Sequence, residues 1–219
     1  MKKIVIFGTG GHAKVILSEL LKQKKYKEII FVSKEKKKYL YFNKKKYKIF
    51  NNFKIKSGDK SKVYGVIAIG DNYLRYKLYR KYSKIYPKLV WATIKSKDAI
   101  VNKNVKLSAG SMVITGSIIN AGSIIGKHCI INTKSSIDHD NIFSDFSSTG
   151  PGVITGGKVK VGKLSHIGIG SAVCQNVDIA NNTIIGGKSF VNKNCEKNSV
   201  YFGTPAKKRK NRKIGAKYL

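Results

Sequence analysis

Acidic residues are scarce in this chain: 11 Asp and Glu stand against 44 Lys and Arg, giving a formal net charge of +33 over 219 residues. Such a balance normally points to nucleic acid or an anionic surface. Arginine is scarce as well, limited to Arg75, Arg80, Arg209 and Arg212, and nucleic-acid readers favour its bidentate fork over lysine. The lysines come with abundant Ile, Asn and Tyr, the bias of an AT-rich coding sequence. The expected use of the charge is therefore a general attraction for phosphorylated ligands, with nucleic acid disfavoured as a partner. Long apolar runs are missing too. No stretch reaches the ~20 apolar residues of a membrane span, and Ile4–Phe7 after Met1-Lys2-Lys3 is too short for a signal peptide. Three cysteines, Cys129, Cys174 and Cys195, are an odd number without metal-ligand spacing. They read as reduced thiols of a cytoplasmic protein with no metal site.

What is present is a beat of six. From Val101 to Val191, sixteen positions spaced by six hold Val, Leu, Ile or Phe fourteen times, and Thr149 and Thr155 are the two exceptions. Four residues after each beat the side chain is usually small, as at Ser111, Ser117, Ser123, Ser135, Ser147, Ser165 and Ser171. This pattern predicts a left-handed parallel β-helix. Each hexad makes a short strand and a corner, three hexads close a triangular coil, and each beat residue stacks on the one eighteen positions later. Gly126, Gly162, Gly168 and Gly186 suit tight corners, where a Cβ or a positive φ is costly. A β-sandwich would instead show alternation of period two.

The chain before the beat reads differently. Residues 3–8 predict a buried parallel strand, Gly8-Thr9-Gly10-Gly11-His12-Ala13 a turn, and residues 13–24 a helix. Strand, glycine-rich turn and helix N-terminus form an anion site, because free N–H groups and the helix dipole face the ligand. A second strand, Glu28 to Val32, ends in Ser33-Lys34 where a dinucleotide site wants an acid, and only Glu35 is near. A nucleotide-sugar phosphate therefore fits better than NAD. Residues 34–62 read as irregular, Val63–Gly70 as a strand, Asp71–Tyr86 as a helix stopped by Pro87, and Leu89–Trp91 as a last strand. The expected division is a Rossmann-like α/β domain over residues 1–93, a β-helix over 94–200 and a basic tail over 201–219.

The Gly-Thr-Gly-Gly-His-Ala turn, Ala68-Ile69-Gly70-Asp71-Asn72, the hexapeptide region and Gly203-Thr204-Pro205-Ala206-Lys207 together resemble one family. It is the bacterial sugar O-/N-acyltransferases, of the sialic acid O-acetyltransferase and UDP-4-amino-sugar N-acetyltransferase type. The resemblance implies a homotrimer, acetyl-CoA as co-substrate and a nucleotide sugar on the N-terminal domain. It implies Gly10, Gly11, His12 and Asn72 as substrate-binding residues, with Ser33 and Lys34 where the family often has an Asp pair. It implies Asn132 in the active site, and Gly157, Ile169 and Gly187 along the CoA groove beside Ser148, where the family often has a second His. Lys95-Ser96 replaces the usual His-Pro at the start of the prism. In Ser136-Ile137-Asp138-His139-Asp140-Asn141, His139 falls two residues after an inward beat, hence on an outward corner, flanked by carboxylates. Such a His can take the nucleophile's proton as it attacks a thioester, with Asp140 or Asp138 fixing its tautomer. The expected function is N-acetylation of a nucleotide-activated amino sugar for surface glycan synthesis. O-acetylation of a sugar or sialic acid is the alternative within the class, and a polyanion-binding scaffold the alternative outside it.

Overall fold

The computed structural model describes residues 2–35, 37–53 and 62–218. The N-terminal part is β1 (Lys3–Phe7), α1 (Gly11–Gln23), β2 (Glu28–Val32), β3 (Tyr39–Phe42), β4 (Lys45–Phe50), β5 (Val63–Ile67), α2 (Asn72–Ile85) and β6 (Val90–Trp91). The sheet runs β3-β4-β2-β1-β5-β6, parallel except for the β3–β4 pair. Ile4, Val5 and Ile6 are fully buried, as expected of a central strand covered on both faces. The Asp71 carboxylate caps α2 by accepting from Leu74 N–H, which satisfies one of the orphan donors of the first turn.

The stretch expected to be irregular contains a hairpin instead. Asn43 and Lys44 both take positive φ, 46° and 59°, as a two-residue hairpin turn requires. Only Leu40 and Ile49 of the two strands are buried. Phe42 and Tyr47 are half-buried against the core, and the rest is Lys, Tyr39, Tyr41 and Phe50 facing water, with the Lys46 ammonium over the Tyr39 ring. So thin an apolar stripe leaves little period-two signal. Lys36 and residues 54–61 of that stretch lie outside the described residues.

From Ile94 onward the chain winds as a three-sided parallel β-helix. Seventeen two-residue strands, β7 (Ile94–Lys95) to β23 (Phe190–Val191), fall in turn on three faces. The first face carries residues 94–95, 112–113 and so on, the second 100–101 onward, the third 106–107 onward. Partners lie eighteen residues apart, as Ile119 with Ile137. All beat residues from Val113 to Val191 are buried, and each large aliphatic side chain contributes about 1.5–3 kcal/mol. The small residues earn their place through hydroxyls. Ser117 Oγ donates to Ile114 O and Ser165 Oγ to Ala180 O, supplying donors to carbonyls inside a dry corner.

Two expectations change here. Of the two reasons expected for glycine at Gly168 and its equivalents, close approach holds and positive φ does not: a Cβ on Gly168 would meet Gly187 N at 2.5 Å. The positive-φ corner is three residues after the beat, and His128, Asp140 and Phe146 occupy it as well as glycines. Nor is the basic end simply a tail. β24 (Ser199–Phe202) adds to the first face beside β22 (Ile184–Ile185), extending the prism beyond Val200. β25 (Lys207–Asn211) pairs antiparallel with β24 and is exposed throughout. After it Arg212 is buried, bonded to Asn182 Oδ1 and Ala216 O.

The first face docks on the N-terminal part. Ile94, Met112, Ile114 and Ile130 share one core with Ile4, Ile6, Ala13 and Ile16. Arg75, fully buried, bridges the two: it donates to Ile69 O (2.9 Å), Gly70 O (2.8 Å), Asn72 Oδ1 (2.6 Å) and, on the prism, His128 O (2.8 Å).

Candidate active site

The glycine-rich turn is shaped for a ligand. Gly8 sits at φ 118°, where a Cβ would meet Ile69 Cδ1 at 2.8 Å. Gly10 and Gly11 have nothing within 4 Å of a would-be Cβ, so the space before the helix is open. Gly10 caps α1 with no side-chain bond, and no acid lies in the first turn, which leaves N–H groups facing that space. His12 Nε2 is enclosed without a partner. Burial, then the Arg75 guanidinium, pushes the His12 pKa down to about 4, so the imidazole is neutral at physiological pH. Ser33 Oγ accepts from Glu35 N–H (3.2 Å), whereas the Glu35 carboxylate reaches the turn and accepts from Thr9 Oγ1 (2.8 Å). Lys34 is exposed beside them.

His12 and Gly70 form one wall of a cleft of about 290 Å³ against the first face of the prism, lined there by Asn132, Ser148, Ile169 and Gly187. Ser148 Oγ lies 2.8 Å from His166 Nδ1. His166, left aside as structural from sequence, lines this cleft too, its ring 4.9 Å from that of Tyr218. Burial, then Arg75 and Arg212, lowers its pKa to about 3. Tyr218 is a lining residue that the sequence did not signal. His128 is structural, its ring stacked 5.2 Å from Phe146. Asn72 does not face the cleft. Its Nδ2 donates to Ser165 O (2.9 Å), its Oδ1 accepts from Arg75, and its N–H donates to Tyr218 Oη (2.9 Å). It ties α2 to the prism, because a buried amide must be satisfied.

His139 stands elsewhere, on the corner between the second and third faces. Its Nδ1 lies 2.9 Å from Asp140 Oδ2, with about half of each side chain exposed. Asp138 turns away from the ring and fixes the corner: its Oδ1 accepts from His139 N–H (2.8 Å) and Asn120 Nδ2 (3.1 Å). Those two bonds, the backbone one first, hold its carboxyl below its usual pKa. The two threonines that break the beat belong to the same region. At other coils the N–H after the beat donates to a carbonyl seventeen residues on, as Asn120 to Ile137. Asn132 N–H donates instead to Thr149 Oγ1 (2.9 Å) and Asp138 N–H to Thr155 Oγ1 (3.3 Å). A valine in either place would remove that hydroxyl acceptor and leave only the main-chain carbonyl.

Gly157, expected along the groove, lies under the imidazole: a Cβ there would stand 2.5 Å from His139 Cε1 and Nε2. Its φ is not in the left-handed region, so alanine displaces the ring without straining the backbone. Gly157→Ala is expected to reduce kcat by about 10²-fold with an unchanged unfolding temperature, read by steady-state kinetics and calorimetry. Within one chain His139 and the cleft do not meet. Asn132, Ser148, Ile169 and Gly187 go with His12, while Gly157 and Asp140 go with His139.

An imidazole paired to a carboxylate on a prism corner, and an anion-ready turn on a docked α/β domain, define an acyltransferase of the β-helix class. Residues 3–82 match the family model of the PglD N-terminal domain. Among solved structures, the chain resembles a histidine-to-alanine mutant of GDP-perosamine N-acetyltransferase from Caulobacter crescentus, in complex with CoA and GDP-perosamine. The identity is 28%, covering 95% of this chain and 97% of that one, with a TM-score of 0.84. The acetyltransferase domain of PglB from Neisseria gonorrhoeae FA1090 shares the fold at 22% identity, covering 94% and 99%, with a TM-score of 0.84. WeeI from Acinetobacter baumannii AYE shares it at 18% identity, covering 95% and 100%, with a TM-score of 0.74. Over almost its whole length the chain is similar to bacterial sugar acetyltransferases, its N-terminal part matches the PglD N-terminal domain, and its prism is a left-handed parallel β-helix.

Proposed function

We propose that this protein is an acetyl-CoA-dependent N-acetyltransferase that acetylates the amine of a nucleotide-activated amino sugar. The observation that carries the reading is the His139–Asp140 pair, exposed at the corner with Gly157 as its floor. Asp140 on Nδ1 directs the Nε2 lone pair outward, as a general base requires. Nε2 takes the proton as the sugar amine attacks the thioester carbonyl, and the imidazolium that forms is stabilised by Asp140. The proton then passes to the leaving CoA thiolate, so no acyl-enzyme is needed. Cytoplasmic chemistry in glycan synthesis is the setting this reaction implies.

The nucleotide phosphates belong on the Gly10–Gly11 turn, with neutral His12 as an uncharged hydrogen-bonding group beside them. Ser148, Ile169 and Gly187 line the space for the thioester arm. Because His139 faces away from its own cleft, the reacting centre needs a second copy of the chain. The second face offers the surface: Ile100, Ile118, Ile154 and Phe190 stand exposed in one column, with Ser136 and Ala172 between them. A threefold arrangement of such faces closes on itself. UDP and GDP sugars are both compatible with Ser33, Lys34 and Glu35 at the end of β2.

The test is thiol release from acetyl-CoA with a panel of UDP-, GDP- and dTDP-linked 4-amino sugars and sialic acids. Release that requires one amino sugar supports the assignment. Release with a sialic acid alone moves it to O-acetylation, and release with no acceptor removes it.

A further inference from the structure

A second cavity, of about 380 Å³, opens on the edge between the third and first faces of the prism, under α2. Its walls are the rings of Tyr73 and Tyr76 from α2 on one side, and Lys163, Asn181, Lys197 and Asn198 from three successive corners on the other. No acidic side chain lines it among the described residues. The two rings lie 6.3 Å apart at 40°, and Tyr76 is braced edge-on by Phe146 at 5.2 Å. The Lys163 ammonium sits 5.1 Å from the centre of the Tyr76 ring. Neither Lys163 nor Lys197 has a carboxylate partner among the described residues. The corner itself is rigid. Asn181 Oδ1 accepts from Lys163 N–H (2.7 Å) and Asn198 Oδ1 from Asn182 Nδ2 (2.8 Å).

These groups answer to a ligand with a flat face and a negative charge. Free phosphate would leave the rings unused, and a neutral sugar would leave two unpaired ammonium groups facing it. A planar base matches the rings, since aromatic stacking accepts any base, and lysines serve phosphate as point charges. The volume lies within the range of small-ligand sites. We propose that this cavity is a second ligand site, for a nucleoside phosphate, with the base against Tyr73 and Tyr76 and the phosphate between Lys163 and Lys197. It is separate from the cleft that takes the reacting sugar nucleotide. It also lies on the prism edge away from the exposed Ile100–Phe190 column, so it remains open when copies pack through that face.

Photolabelling of the full chain with 5-azido-UDP and 8-azido-ADP, followed by peptide mapping, tests the site. Labelling is expected on peptides bearing Tyr73 and Tyr76 or Lys163 and Lys197, in addition to any label on the Gly8–Lys14 turn. In Lys163→Glu/Lys197→Glu, two surface changes, that label falls at least tenfold while thiol release and unfolding temperature are unchanged. Tyr73→Ala, whose ring braces no core residue, reduces it about five- to hundredfold. Labelling confined to the turn overturns the second site but leaves the enzymatic reading standing. So does labelling that persists in both variants. Competition by inorganic phosphate as effective as that by unlabelled nucleotide overturns the nucleotide assignment.

Discussion

His139→Ala lowers the turnover of acetyl transfer by about 10²–10⁴-fold, while binding of the CoA thioester and the sugar nucleotide is retained. The expectation follows from where the side chain stands. Its ring is half exposed, and among the described residues its one side-chain partner is Asp140, through Nδ1. The main-chain bonds that fix the corner come from Asp138, Thr155 and Asn141, not from the imidazole. Removing the ring therefore takes away a base and leaves the coil intact. Isothermal titration alongside steady-state kinetics separates the two quantities. A variant that turned over like the wild type would show that another group takes the proton.

Arg75→Met destabilises the protein by about 3 kcal/mol or more, because buried acceptors on both domains lose a charged donor at once. For a chain of this length that corresponds to a fall of roughly 6–12 °C in the unfolding temperature. Among the described residues Arg75 makes no ion pair with a carboxylate. It is held by carbonyls and the Asn72 amide, and burial lowers its pKa without discharging a guanidinium. Its positive charge is also one cause of the depressed pKa values of His12, His128 and His166. With it gone, those three should titrate at higher pH, measurable by NMR. An unchanged unfolding temperature in Arg75→Met would mean that apolar contact alone joins the domains.

The prism was legible because one residue in six must fill its axis, and that constraint leaves a period no other architecture shares. The strand–turn–helix start was legible for a similar reason, since Gly8 and the open Gly10–Gly11 edge answer to backbone geometry. The hairpin Tyr39–Phe50 was not, because an edge ribbon buries too few side chains to mark its period. Asn72 was misplaced because its sequence position beside the turn says nothing about which way a buried amide points. Thr149 and Thr155 were visible as breaks in the beat, but their cause, hydroxyls standing in for carbonyl acceptors, is a property of neighbouring coils. Arg75 carried a signal that went unused. In a chain that takes lysine for nearly every cation, two of its four arginines, Arg75 and Arg212, are buried crosslinks, the places where a rigid multi-donor fork is needed.

The central claim is that acyl transfer occurs between His139 of one chain and the cleft of another. Mixing His139→Ala chains with Gly187→Trp chains, whose cleft is filled, tests it directly after denaturation and joint refolding. Each variant alone is inactive by this account. Equal mixtures should recover about a quarter of the wild-type thiol release, since random assortment sets an intact base against an intact cleft in that share of sites. No recovery from properly assembled mixtures would contradict the account and place base and cleft within a single chain.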